Sequence, residues 1–149
     1  MDPRDFLKTA KNLLKNDRPA NCRTVFNRSY YAAYNVGVDL LEDSGIRINK
    51  NATGHGQVNN YLGNCGVREI EEIQSKLTIL ANQRIKADYR LSERAVEKIK
   101  NAEKAVMTSE DIIKTFELFY SNSGKKKISN GIKAYNQKIK TAGKSNPKS

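Results

Sequence analysis

Asn27-Arg28-Ser29-Tyr30-Tyr31-Ala32-Ala33-Tyr34-Asn35 holds neither proline nor glycine and reads as the middle of a long helix. Arg28 and Asn35 stand two helical turns apart, so they share one face, about 20° out of line. Tyr31 lies between them on that face. A guanidinium, a phenol and a carboxamide along one stripe are costly to bury. On an isolated helix Arg28 would simply be exposed and the tyrosines would pack as core aromatics, so the flanking sequence has to show whether the stripe does more.

Working outward, this helix is expected from about Ala20 to Glu42, ending before Gly45, which supplies a left-handed residue. Cys22, Phe26, Tyr30, Ala33, Val36 (or Gly37) and Leu40 form its apolar stripe. Small residues Ser29, Ala32, Ala33 and Gly37 let another helix approach closely. Arg28 and Asn35 lie beside the stripe, where they can line a groove. Upstream, Asp2-Pro3 opens a helix to about Lys15 over Phe6, Leu7, Ala10, Leu13 and Leu14, and residues 16–19 make a connector. Downstream, residues 46–56 read as an irregular loop holding His55, the single histidine. Its neighbours Gly54 and Gly56 permit unusual backbone angles or close ligand approach.

A short helix with Val58, Tyr61, Leu62 and Cys65 follows, then a helix from about Arg68 to Lys86 on Ile70, Ile73, Leu77, Leu80 and Ala81. Residues 87–91 read as a turn, and Ser92 as the cap of a helix to about Phe119 over Ala95, Ile99, Ala102, Val106, Ile113 and Phe116. Nothing alternates long enough to make a sheet. The expected architecture is all-α: an antiparallel bundle of four main helices, a short extra helix and a basic C-terminal extension. Residues 1–120 form the bundle. Residues 121–149 are a lysine-rich linker, a short basic amphipathic helix on Ile128, Ile132, Tyr135 and Ile139, and a disordered tail.

At 149 residues the chain is one domain, long enough to bury a core. It has no apolar run of membrane-spanning length and no leader, so a cytoplasmic protein is expected. Cys22 and Cys65 lie far apart and read as small buried apolar residues; no metal cage, cofactor or phosphate-loop motif is present. Net charge is +11, and its placement is uneven. From Gly124 onward there are eight lysines and no acidic residue, leaving 19 basic against 16 acidic side chains before it. Such an extension, beginning with Lys125, Lys126 and Lys127, either attracts phosphate polyanions through counterion release or solubilises the chain.

Four pieces in order carry a family resemblance: the N-terminal helix, Arg28-Ser-Tyr-Tyr-Ala-Ala-Tyr34, Gly54-His55-Gly56, and Arg84-Ile-Lys-Ala-Asp88-Tyr89. Over roughly residues 3–107 the chain resembles the HEPN domain, the helical nucleotide-binding family of prokaryotes and higher eukaryotes. That resemblance implies a homodimer and a metal-independent ribonuclease of toxin–antitoxin or antiphage systems, often beside a nucleotidyltransferase antitoxin. It puts the family's catalytic arginine at Arg28 and the polar residue after it at Ser29, while the catalytic histidine's place is held by Asn35.

Cleaving RNA without a metal takes a base for the ribose 2′-hydroxyl and an acid for the leaving oxygen. Imidazole can do either near neutral pH and a carboxamide cannot. Arg28 and Asn35 can still hold a phosphate, and His55 is the one residue left to move the proton, unless it serves in helix capping or packing. Ser29, Tyr31, Arg84 and Lys125–Lys127 complete the expected RNA or nucleotide contacts. Arg84 alternatively pins a turn through Asp88. The expectation is an RNA-directed HEPN-type protein, a ribonuclease with a degenerate Arg-x6-Asn motif. The alternative is an inactive module binding RNA, nucleotide or a partner protein.

Overall fold

The computed structural model describes residues 1–144, and among them every regular element is helical. They are α1 (Arg4–Leu13), α2 (Pro19–Asp43), α3 (Thr53–Leu62), α4 (Arg68–Tyr89), a 3-10 turn (Arg94–Glu97), α5 (Ile99–Glu117) and α6 (Asn122–Lys144). No helix among the described residues is long and apolar enough to cross a membrane.

α2 is the axis of the molecule: α1, α4 and α5 pack along it, and α3, α6 and the 3-10 turn touch it more briefly. Its buried side runs from Cys22 through Phe26, Tyr30, Ala33, Val36 and Leu40, as its 3.6-residue spacing requires. α5 comes closest where α2 is small. The Ser109 hydroxyl donates to the Ser29 carbonyl at 2.7 Å, and a side chain at Gly37 would press on the Phe116 ring. α2 stops at Gly45, whose φ of 83° lets the Ile46 amide reach back to the Leu41 carbonyl at 2.9 Å. Cys22 and Cys65 are free and buried.

Four local expectations are corrected. First, His55 is not in a loop, because α3 already begins at Thr53. Asn51 Oδ1 accepts from the Thr53 amide at 3.0 Å, and Gln57 Oε1 accepts from the Asn49 amide at 2.7 Å, tying the incoming chain onto the first turn. Gly54 is needed because a Cβ there would collide with the Asn49 carbonyl; Gly56 has open space around it, and neither has a positive φ. Second, α4 runs through Tyr89, absorbing the first part of the supposed turn.

Third, Ser92 caps nothing; a 3-10 turn intervenes and α5 begins at Ile99. The cause is Arg23 on α2. Its guanidinium, 11% exposed, pairs with Glu97 at 2.8 Å and donates to the carbonyls of Ala87, Arg90, Leu91 and Glu93. The chain from 87 to 97 is wrapped around that one side chain, and Val96 plugs the core beside it.

Fourth, the segment read as a linker is helical from Asn122. Gly124 lies against the Phe119 backbone, and Gly131 lies against the Cys65 carbonyl so closely that no Cβ fits. These glycines serve contact, which local sequence cannot distinguish from flexibility. Ile128 and Ile132 are fully buried and the Tyr135 hydroxyl donates to Asn60 Oδ1 at 3.1 Å. The expected disordered tail is helical to Lys144; its remainder lies outside the described residues.

Candidate functional site

Three tyrosines of α2, at 30, 31 and 34, stand together on the flank that faces α3 and the end of α4. The first turn of α3 sets His55 among them, and the last turns of α4 set Arg84 over them. The His55 ring stacks on Tyr34 with centroids 4.3 Å apart and lies 5.9 Å from Tyr30 and 6.4 Å from Tyr31. The Tyr30 hydroxyl and His55 Nδ1 are 2.7 Å apart. The Arg84 guanidinium carbon sits 5.1 Å from the Tyr30 ring centre and 5.6 Å from that of Tyr31, a cation held against two π faces.

Arg84 also meets Asp88 Oδ2 at 3.7 Å, and Asn27 of α2 donates to the same oxygen at 3.0 Å. Asp88, held by Arg84 within α4 and by Asn27 of α2, ties the two helices together, and Arg84 brings positive charge against the rings. Its Nε is buried without a hydrogen-bond partner.

Burial pushes the Tyr30 hydroxyl well above the usual phenol value, the neighbouring Tyr34 adds to this, and Arg84 pulls the other way. Burial likewise raises Tyr34. His55 moves down, first because burial disfavours its cation and then because Arg84 repels it. The imidazole is therefore neutral at pH 7. Tyr30 keeps its proton, and His55 Nδ1 is the one acceptor its hydroxyl finds among the described residues. A buried O–H donates when it can, so the neutral ring carries its own proton on Nε2, which has no partner there.

Beyond His55 a cleft of about 310 Å³ opens, lined by Tyr34, Asn35, Val38 and Glu42 of α2 and by Ile48, Asn49, Lys50 and Asn51 of the α2–α3 connection. Asn35 donates Nδ2 to the Tyr31 carbonyl at 2.8 Å, leaving its Oδ1 unpaired among the described residues.

The sequence-predicted residues therefore divide. Asn35 and His55 share this cleft, with Tyr31 and Arg84 packed behind His55. Arg28 is not in the cleft lining; its guanidinium lies 5.3 Å from the ring centre of Phe6, which in turn leans on Tyr31 at 6.4 Å. Ser29 is withdrawn: fully buried against α5, it cannot touch RNA. Lys125 and Lys126 line a separate groove with Asp43 and Ser44, and Lys127 a third beside Cys65 and Gly131. Tyr30 and Tyr34 were missed as site residues, although their spacing of four already stacked them on one side of α2.

Compared with protein-family models, with curated proteins and with solved structures, the chain matches none.

Proposed function

We propose that the protein is a HEPN-type, RNA-directed module of the cytoplasm that binds RNA or a nucleotide at the cleft beside His55. In this reading α1, α2, α4 and α5 form the antiparallel four-helix bundle of that family. One observation carries it: stackable rings, a hydrogen-bonding amide and a cation converge on a single cleft, in Tyr34 and His55, Asn35, and Arg84 behind them. A splayed base finds a π face there, a contact that contributes about 1–3 kcal/mol per base. Asn35 Oδ1 and His55 Nε2–H offer one acceptor and one donor to its polar edge.

Binding fits the proton inventory better than cleavage. With its proton on Nε2, neutral His55 can donate to a phosphate oxygen or a base carbonyl but cannot accept the ribose 2′-hydroxyl proton through that atom. Glu42 at the cleft rim also opposes close approach of a second phosphate. The second reading is a metal-independent endoribonuclease, dimeric and paired with a nucleotidyltransferase-type antitoxin. It is favoured by the neutrality of His55, which is a base at Nε2 in its other tautomer, with the ring proton on Nδ1 donated to the Tyr30 oxygen.

The test is binding and cleavage of a labelled RNA in EDTA. The binding reading expects saturable polarisation, about ten-fold weaker binding in Tyr34→Ala or His55→Ala, and RNA recovered intact. Products that disappear in both His55→Ala and Arg28→Ala move the assignment to the ribonuclease. No binding by the wild type at low salt ends both readings. Asn35→His restores the family's helix histidine and tests whether the scaffold supports cleavage when a proton-transfer group is supplied.

A further inference from the structure

The charge on α6 differs from the charge on the rest of the surface. Elsewhere cations are interspersed with carboxylates, and eight of the nineteen pair with one, as Arg4 does with Glu117, Lys8 with Asp5, Arg68 with Glu72 and Arg94 with Glu97. α6 carries seven lysines and no acidic residue, and among the described residues none of those lysines has an ion-pair partner. A paired cation has little to gain from a phosphate. A free one releases a counterion when it meets one.

The helix is also held in a fixed pose. Gly131 seats it on the Cys65–Gly66 backbone, Ile128 and Ile132 enter the core, and Tyr135 bonds Asn60 of α3. With that side fixed inward, Lys126, Lys133 and Lys140 recur every seven residues on the outward side, about 10.5 Å apart. Lys125 borders the row, lining one groove with Lys126 and Lys133. We infer that α6 is a rigid phosphate rail: a sequence-independent binding surface for an RNA backbone, set by a glycine seat beside the His55 cleft's own helix α3. This rests on the RNA reading above and adds where the backbone is gripped.

The inward side of α6 also says which polyanion fits. An amphipathic helix binds a lipid surface by burying its apolar side in the bilayer. Here Ile128 and Ile132 are already spent on the protein core and Ile139 alone of the helix's isoleucines is exposed, too little apolar surface for a bilayer, so the lysine side is the main one on offer. That side suits a soluble polyphosphate chain.

The experiment measures polarisation of a labelled single-stranded RNA of about 30 nucleotides against full-length protein between 50 and 200 mM salt. Each lysine in contact adds about 0.7 to the log–log salt slope. The triple variant Lys126→Gln/Lys133→Gln/Lys140→Gln should lower the slope by about 2 and weaken binding at 50 mM at least ten-fold. Ala134→Pro keeps every charge but breaks the helix between the rail's halves, and should weaken binding several-fold. An unchanged slope in the triple variant, or full affinity in Ala134→Pro, overturns the rail; in both cases the RNA reading stands. Wild-type protein that ignores RNA yet binds vesicles containing phosphatidylserine overturns both. Circular dichroism of each variant guards against loss of the fold.

Discussion

Removing the Arg23 guanidinium should cost the fold more than any surface substitution in the molecule. Arg23 donates to Glu97 and to five carbonyls, those of Lys86 and Ala87 at the end of α4 and of Arg90, Leu91 and Glu93 after it. The bonds to the Arg90 and Leu91 carbonyls lie at the surface, where water replaces them. The bonds to the Ala87 and Glu93 carbonyls, 2.9 and 3.0 Å long, are partly buried. A buried acceptor left without a donor costs about 1–3 kcal/mol, so two half-buried ones give roughly 2–4 kcal/mol for Arg23→Ala. For a chain of this size each kcal/mol moves the Tm by about 2–4 °C, so a fall of roughly 4–16 °C is expected. Lysine keeps the charge without the fork and should recover less than half of the loss. Urea titration with far-ultraviolet circular dichroism measures the energy, and amide exchange over residues 87–97 locates it. A fall in Tm under about 2 °C, or unchanged protection of 87–97, would refute the claim that this side chain organises the crossing.

Two further outcomes follow from the same geometry. His55 is held below its ordinary value near 6.5, so the native state binds fewer protons than the unfolded chain. Its contribution to stability is therefore full above that value and declines as pH falls below it; wild type should lose more Tm between pH 7.5 and 5.5 than His55→Gln, and equal losses would refute the assignment. At Gly131 a Cβ has no room against the Cys65 carbonyl, so Gly131→Val should lift α6 and expose the chain after Tyr120 to trypsin, while Gly143→Ala, in open space, should leave the digestion pattern unchanged.

What the sequence could tell depended on how far each determinant lies from what it determines. Helices α1, α2 and α4 and the left-handed Gly45 were legible because their apolar spacing and caps are local. The start of α5 was not, since the chain before it is shaped by an arginine more than sixty residues earlier. α6 was misread as a linker at its start because Gly124, packed against the Phe119 backbone, looks the same in sequence as a glycine chosen for flexibility. At the site, Asn35 and His55 were named and do share a cleft. Arg28 was expected beside Asn35 in a groove, but a helical wheel cannot reveal that Phe6 of another helix lies against its guanidinium, outside the cleft lining.

The cross-section of α2 explains why the site lies where it does. Ser29, Ala32, Ala33 and Gly37 interrupt the larger residues of the buried stripe, and there α5 closes in until the Ser109 hydroxyl bonds the Ser29 carbonyl and the Phe116 ring lies against Gly37. Tyr30, Tyr31 and Tyr34 stand together on the flank turned toward α3 and the end of α4. The short helix α3 covers that flank only in part, and its small residue Gly54 lets the Asn49 carbonyl fold in close while His55 fills the space beside Tyr34. What α3 fails to cover is the cleft. Tight packing between α2 and α5 and an open, ring-lined groove between α2 and α3 thus lie on neighbouring flanks of one helix: Gly37 follows Tyr30 by seven residues, so enlarging it against Phe116 should disturb the ring cluster beside it.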